Sequence, residues 1–440
     1  MSGHANHPRQ RFGDLALGAH ATIAGRVVAR LAGERAFVLR DASGEARLFV
    51  PAGATAPAVG SLVVVEGFRT KEGFTSVKLE VVGVAALRPG ELGEWDAANA
   101  AESALRRRAV IERDRLLHAL RSYFRGEQFL EATTPTLLSA PGQEPYLKPF
   151  ETAFHGFGAP QRLWLATSPE YALKRLLAAG HERLFEITKS FRDGRDEHSP
   201  LHAPEFTLLE WYRAWEGLDA IGRDVEALLR AAADALAPSR SLARGGLACD
   251  VGRAAHWLPV AQAFRELAEL SLEPYLDGDD AAFVRSLPAA IPRVGDSARE
   301  QADSAYFRLL IERIEPRLGV GAPTFLCRYP ARHAALSELA KDDPRVAERF
   351  EAYVLGVELS NAFLELRDPA EQERRLRAEQ QERVAAGGEA LPVNEPFLRA
   401  LRSGLPPCAG IALGVDRLQL LVVGAERLDD VLPFSFAADR

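Results

Sequence analysis

The sequence of 440 residues lacks the hallmarks of several protein classes. Its three cysteines, Cys249, Cys327 and Cys408, lie far apart, so we expect neither a disulfide framework nor a paired-cysteine metal site. No apolar run approaches the length of about eighteen residues that a membrane span needs. The first residues contain no apolar stretch typical of a signal peptide. We therefore expect a protein of a reducing, cytoplasmic setting.

A net positive charge is also lacking. The 54 basic and 61 acidic side chains give a formal charge of −7, which argues against binding nucleic acid through bulk positive charge. Residues 1–95 contain 11 basic and 9 acidic side chains, so this part carries +2 and the rest −9. The phosphate-binding pattern GxxxxGK[ST] is absent, and no GxGxxG enters a helix, which excludes the two commonest nucleotide-binding loops.

The remaining pattern predicts an α+β chain of two domains. Residues 1–18 are polar and aperiodic and suggest a loose tail, and residues 89–102 suggest a linker. Between them, residues 19–88 predict a small all-β barrel such as an OB-fold, because five short strands follow one another with turn residues between them. The predicted strands are Thr22–Arg30, Ala36–Arg40, Ala46–Val50, Leu62–Phe68 and Phe74–Ala86.

Residues 103–440 predict a larger domain that begins with a helix at Ser103–Arg125, where apolar residues recur at helical spacing. Residues 218–320 are rich in helix patterns. From residue 323 onward, strand-like runs return at Pro323–Arg328, Arg349–Leu355, Phe363–Leu366 and Ile411–Leu413. This order of elements is typical of a mixed domain with a sheet and flanking helices.

Chemistry-bearing residues are concentrated in four segments: Thr167–Lys174 (TSPEYALK), Phe191–Arg213, Glu351–Glu365 (EAYVLGVELSNAFLE) and Gly410–Arg417 (GIALGVDR). Arg192 and Arg417 flank strand-like residues, and two such arginines suit a polyphosphate because each guanidinium forks onto phosphate oxygens. Glu351 and Glu358 form a pair of carboxylates that could hold Mg²⁺.

Three further acids occur among aromatic residues. Glu170, Glu210 and Glu365 accompany Tyr212 and Phe363 in the same segments. Several carboxylates in an aromatic-lined pocket suit a ligand with two amino groups, because buried charges need partners of opposite sign.

The order of these segments resembles the class II aminoacyl-tRNA synthetases of the lysine, aspartate and asparagine subgroup. Thr134-Pro135 is similar to motif 1 at the dimer interface, Phe191–Phe206 to motif 2 and Gly414–Arg417 to motif 3. The resemblance covers residues 103–440 and implies an antiparallel sheet flanked by helices, ATP and Mg²⁺ as ligands, and a homodimer. The stretches YVLGVELSNAFLEL, TLLEWYR and RVAERFEAY further resemble bacterial ligases that attach (R)-β-lysine to a lysine of elongation factor P.

The resemblance implies a role for each site residue. Arg192 would hold the α-phosphate and the amino-acid carboxylate, and Arg417 the γ-phosphate. The other implied ATP and metal contacts are His202 beside the γ-phosphate, Phe206 on adenine, Glu351 and Glu358 on Mg²⁺, and Glu197 at the adenine amino group, with Asp193 or Asp196 as alternatives. The implied amino-acid pocket comprises Glu170 and Glu210, which would receive the amino group near the substrate carboxylate, together with Tyr212, Asn361, Phe363 and Glu365 at the distal ammonium, and Ala412.

The acceptor has two interpretations. GIALGVDR contains Ala412 where lysyl-tRNA synthetases have glycine, which favours the protein ligases and elongation factor P as partner. The barrel favours tRNA-Lys instead, with Phe37 as the aromatic ring that would stack on an anticodon base. A catalytically inactive RNA-binding paralogue is disfavoured because both arginines and both metal carboxylates are present. Whether the substrate is α-lysine, β-lysine or another diamino acid stays open.

Overall fold

The structure, a computed structural model, describes residues 10–31, 35–41, 43–51, 53–83, 100–144, 147–156, 158–194 and 199–434. The chain divides into two compact units, Met1–Arg108 and Ala109–Arg440, and the division falls within helix α1 (Ala100–Gly126). Residues 1–9 of the predicted tail, residues 84–86 of the last predicted barrel strand and residues 89–99 of the predicted linker lie outside the described residues.

The first unit contains a closed five-stranded barrel. Its strands are β1 (His20–Arg30), β2 (Ala36–Asp41), β3 (Gly44–Phe49), β4 (Leu62–Thr70) and β5 (Gly73–Gly83). The order β1-β2-β3-β5-β4 closes through antiparallel pairing of β4 with β1, and β3 pairs with β5 in parallel. Alternate residues of each strand fill the interior. This arrangement is consistent with the OB-like domain that the sequence predicts.

Phe37 lies inside this barrel. Its side chain is completely buried, and it pairs across the β2–β3 ladder with Leu48, which is buried as well. The prediction that Phe37 stacks on a nucleotide base is therefore wrong, because its ring has no exposed face to offer. The apolar run Ala36–Leu39 did not reveal which of its residues would face inward.

Residues 10–18 pack against the barrel instead of forming the loose tail that we expected. A short 3₁₀ turn, Phe12–Asp14, begins with the Phe12 amide donating to Asp41 Oδ2 over 2.8 Å. The guanidinium of Arg69 lies 4.0 Å from the centre of the Phe12 ring, and Leu15 belongs to the barrel core. A cation–π contact and apolar burial thus hold this segment.

The second unit is built on an eight-stranded sheet with helices around it, and smaller sheets formed by β7–β9 and β12–β13 accompany it. The strands of the whole unit are β6 (Leu130–Glu131), β7 (Leu137–Leu138), β8 (Glu151–Phe154), β9 (Gln161–Leu165), β10 (Arg183–Phe191), β11 (Glu205–Ala214), β12 (Ser241–Arg244), β13 (Leu247–Asp250), β14 (His256–Pro259), β15 (Thr324–Cys327), β16 (Arg349–Val354), β17 (Val357–Leu364) and β18 (Cys408–Gly414). The large sheet has the order β14-β15-β16-β17-β18-β11-β10-β6, and its neighbours are antiparallel except for the outermost pairs.

Within the described residues, nine further α-helices surround the strands. They are α2 (Glu170–Ala178), α3 (Leu218–Leu236), α4 (Val260–Leu267), α5 (Glu273–Leu276), α6 (Asp280–Ser286), α7 (Ala298–Leu309), α8 (Pro369–Ala385), α9 (Glu395–Ser403) and α10 (Val415–Val423). In the part of the chain that is described, none of the helices combines the length and apolarity that a membrane span requires. The predicted α+β class, with an antiparallel sheet flanked by helices, is confirmed.

The main core lies between this sheet and helices α1, α3 and α10. Phe124 of α1 stacks on Phe185 of β10, with ring centres 4.5 Å apart, and both rings are fully buried. Leu209 and Trp211 of β11 belong to the same core. Successive side chains of a strand point to opposite faces. The β11 residues that alternate with Leu209 and Trp211 therefore point to the other face of the sheet, where the candidate site lies.

Candidate active site

A cavity of about 470 Å³ opens on that second face of the sheet. The predicted site residues that line it are Glu170, Arg192, His202, Phe206, Glu210, Tyr212, Glu358, Asn361, Phe363, Glu365, Ala412 and Arg417. Glu351 lies beside the cavity without lining it, and Glu197 and Asp196 lie outside the described residues. Asp193 does not line the cavity either, and its carboxylate pairs with Lys148 over 2.5 Å.

Strand register brings residues from distant segments together. Glu210 of β11 and Asn361 of β17 both pair with Ala412 of the central strand β18. Two residues further along, Tyr212 and Phe363 flank Gly410 in the same way. Because the side-chain period of a strand is two, these positions share one face and form the floor of the cavity.

A buried lysine joins two of the predicted acids. Lys174 is 2% exposed, and its ammonium nitrogen lies 2.6 Å from Glu170 Oε1 and 2.5 Å from Glu365 Oε2. Burial lowers the pKa of the Lys174 amine, but the two carboxylates outweigh this effect and hold the pKa above its usual value. Burial raises the pKa of Glu365 to about 7 against the opposing effect of Lys174. Lys174 therefore remains a cation within the pocket.

Glu210 keeps one acceptor atom unused. Its Oε1 accepts a hydrogen bond of 2.6 Å from the Tyr212 hydroxyl, whereas its Oε2 is buried with no hydrogen-bond partner among the described residues. Burial, with Glu170 adding to it, raises the pKa of Glu210 well above its usual range. A buried carboxylate oxygen without a donor is costly, so this atom points to a ligand that donates a hydrogen bond.

Two arginines mark the other end of the cavity. The Arg192 guanidinium lies 4.9 Å from the centre of the Phe206 ring. Arg417 donates to the carbonyls of Leu201 (3.1 Å) and Glu358 (2.8 Å), and its Nη2 lies 2.7 Å from His202 Nε2. These contacts hold the Arg417 guanidinium in one orientation, and a guanidinium held in place is suited to binding phosphate.

The two predicted metal carboxylates differ in their surroundings. Glu351 Oε2 accepts from the hydroxyls of Tyr329 (2.5 Å) and Tyr353 (2.8 Å), and its Oε1 accepts from Arg349 Nη2 over 2.5 Å. One lone pair of Oε1 is left for a cation. Burial and the neighbouring Glu351 raise the pKa of Glu358 against the opposing effects of Arg417, Arg349 and Arg192.

This donor set fits Mg²⁺, which takes carboxylate oxygens and completes its shell with water and substrate phosphates. The described residues contain no group of three or more metal-ligating side chains. Two carboxylates suffice for an ion that arrives with its nucleotide.

Sequence reasoning missed several residues that line the cavity or pair with its acids. Lys174 stands in a quoted motif, four residues after Glu170, and that helical spacing was a usable signal. Arg349 links the two ends of the site, because its Nε donates to Asn361 Oδ1 over 3.0 Å and its Nη2 reaches Glu351. The acids Glu144 and Glu379 also line the cavity, and no local pattern distinguishes them from surface acids.

Comparison with known proteins identifies the family of the chain. The family described as "tRNA synthetases class II (D, K and N)" matches residues 101–438. An "Elongation factor P--(R)-beta-lysine ligase" of Proteus mirabilis is 36% identical over 348 residues, which cover 78% of this chain and 98% of the relative. A protein of the same name from Pectobacterium atrosepticum is 38% identical over 330 residues, or 74% and 94% of the two chains. The chain belongs to the class II tRNA synthetases of the D, K and N type.

Proposed function

We propose that this protein is an ATP-dependent ligase that activates lysine or β-lysine as an aminoacyl-adenylate and transfers it to a lysine of elongation factor P. The observation that carries the proposal is the acidic pocket, in which Glu170, Glu210 and Glu365 face one internal cation, Lys174. A diamino acid supplies the two missing positive charges and a donor for the unpartnered Glu210 Oε2. The choice of elongation factor P as the acceptor rests on the names of the relatives.

Activation requires the amino-acid carboxylate to attack the α-phosphorus of ATP, so that a C–O–P bond forms and pyrophosphate leaves. Arg192 would hold the α-phosphate and the attacking carboxylate, and Phe206 beside it would stack on adenine. Arg417, supported by His202, would hold the γ-phosphate. Mg²⁺ bound by Glu351 and Glu358 would neutralise phosphate charge as pyrophosphate departs. Charge that develops in this step is stabilised by groups already in position.

The proposal includes a cytoplasmic homodimer with Thr134-Pro135 at the interface, as the family resemblance implies. It does not assign an RNA-binding role to the barrel, because Phe37 is buried.

An acceptor assay tests the function and the barrel together. We expect the full-length protein to transfer labelled β-lysine or lysine to elongation factor P and to charge tRNA-Lys poorly. Deletion of residues 1–95 should leave both adenylate formation and this transfer within about threefold, because all residues that we assign to chemistry lie in the second unit. Efficient charging of tRNA-Lys that disappears on truncation would replace the proposal with a lysyl-tRNA synthetase.

Glu365→Gln should raise the KM for the amino acid in pyrophosphate–ATP exchange about a hundredfold or more, since loss of one buried charge partner costs about 3–5 kcal/mol. The KM for ATP should stay unchanged. In the parent, kcat/KM for the amino acid should fall as the pH drops below about 7, because protonation of Glu365 removes the charge that the substrate needs. The variant should lack this step in its pH profile. An unchanged amino-acid KM would remove Glu365 from the pocket.

A further inference from the structure

Two acids of the cavity have no part in the activation step described above. Glu144 lies between β7 and β8, and Glu379 lies on α8; both line the same cavity as the substrate residues. The two ammonium groups of a diamino acid, together with Lys174, match the three carboxylates already assigned. Glu144 and Glu379 then remain without an ion pair among the described residues, since Arg192 and Arg383 act on Glu144, and Arg375 on Glu379, only from a longer distance.

Neither of these acids has an ion-pair partner among the described residues. Glu144 Oε2 is also buried without a hydrogen-bond partner. Burial is the main cause that raises the pKa of both groups, to about 8 for Glu379, where the nearby Glu144 and Glu170 add to the effect. Acids in this condition are stabilised by a cationic ligand.

The side chain of Arg383 holds the segments that bear the two acids together. Arg383, one helical turn after Glu379, donates through Nη2 to the carbonyls of Glu144 (2.5 Å) and Leu147 (2.6 Å). This clamp fixes the segment that bears Glu144 against the helix that bears Glu379. A Cβ at Gly142 would lie 2.2 Å from Glu144 Oε2, so the glycine leaves the space that this carboxylate occupies.

We propose that Glu144 and Glu379 form the binding site for the primary ammonium of the acceptor lysine and take up its proton. This inference rests on the proposed function. The carboxylate pair receives a proton from the acceptor nitrogen, and the neutral amine attacks the adenylate carbonyl. A C–N bond forms, the C–O bond to AMP breaks, and AMP leaves with the bonding electron pair. The second proton of the attacking nitrogen passes to the other carboxylate of the pair, which leaves a neutral amide. A ribose hydroxyl, the acceptor of a tRNA ligase, carries no positive charge that such a pair of carboxylates could bind.

The test separates transfer from activation. Glu144→Gln and Glu379→Gln are compared with the parent in three assays: pyrophosphate–ATP exchange, hydroxamate formation with hydroxylamine, and transfer to elongation factor P. Hydroxylamine is uncharged at neutral pH and needs no proton acceptor before it attacks. We expect exchange and hydroxamate formation to stay within about threefold while transfer falls about a hundredfold, the typical contribution of a general base. The deficit should shrink as the pH rises toward the ordinary lysine pKa of about 10.4.

Glu382→Gln is the matched control, because Glu382 lies on the same helix, is exposed and does not line the cavity. It should change none of the three rates. The inference is overturned if transfer falls no more than exchange does, or if the amino-acid KM in exchange rises, which would assign the pair to the amino-acid site instead. A parent protein that forms adenylate but modifies no lysine overturns the proposed function itself, independently of the variants.

Discussion

Arg417→Ala will reduce adenylate formation about a thousandfold, the upper range for removal of one preorganised charge-stabilising group. The Arg417 fork is already held by the carbonyls of Leu201 and Glu358 and by His202, so it needs no rearrangement when ATP binds. Its loss removes both a charge and a fixed geometry from the phosphate end of the cavity. The measurement is pyrophosphate–ATP exchange at saturating amino acid.

Arg427→Ala is the control for charge alone. Arg427 lies ten residues further along, its side chain is half exposed, and it pairs with Asp429 over 3.2 Å outside the cavity. This variant should exchange at the parental rate. If Arg417→Ala retained exchange within about tenfold, which corresponds to roughly 1.4 kcal/mol, Arg417 would not be a phosphate ligand.

Gly410→Ala will strongly weaken amino-acid binding while the nucleotide end of the site keeps its affinity for ATP. A Cβ at this position would lie 2.2 Å from Tyr212 Cε1 and 2.6 Å from Glu365 Oε1. Tyr212 is buried and hydrogen-bonded to Glu210, so its ring cannot move aside without breaking that contact. We expect the amino-acid KM to rise about a hundredfold or more, because displacing a buried charged group costs several kcal/mol. Amino-acid titrations in the exchange assay measure this change.

The matched control is Gly126→Ala at the end of α1. No atom lies within 4 Å of the position that its Cβ would occupy, so the added methyl meets open space. ATP binding to Gly410→Ala, followed by fluorescent nucleotide titration, should remain near the parental affinity and show that the protein is folded. An amino-acid KM that stays within about threefold would mean that Gly410 is not confined as the distances indicate.

Much of the site could be predicted because its residues stand in ordered segments. Glu210, Tyr212, Asn361 and Phe363 alternate along two strands, so a shared face follows from strand periodicity once the strands pair with Gly410–Arg417 between them. The barrel strands were predictable for a similar reason, since turn residues separate their apolar runs.

The rest depends on contacts between distant parts of the chain. The spacing of Glu170 and Lys174 predicts a helical pair, but nothing local indicates that Glu365 meets the same ammonium. Phe37 was misassigned because its strand is apolar on both sides, so alternation does not distinguish the barrel interior from its surface. Glu144 and Glu379 lie together where Arg383 ties a loop to a helix, a contact between residues that are distant in the sequence.

That clamp also bears on how such enzymes diverge. The residues of the amino-acid pocket stand largely on β11, β17 and β18, where an insertion of one residue would turn the following side chains to the wrong face. Glu144 and Glu379 stand outside the large sheet, on a loop and on α8. With the acceptor site that we propose, substitutions in these two peripheral segments would change the acceptor while the strands that bind the amino acid stay the same.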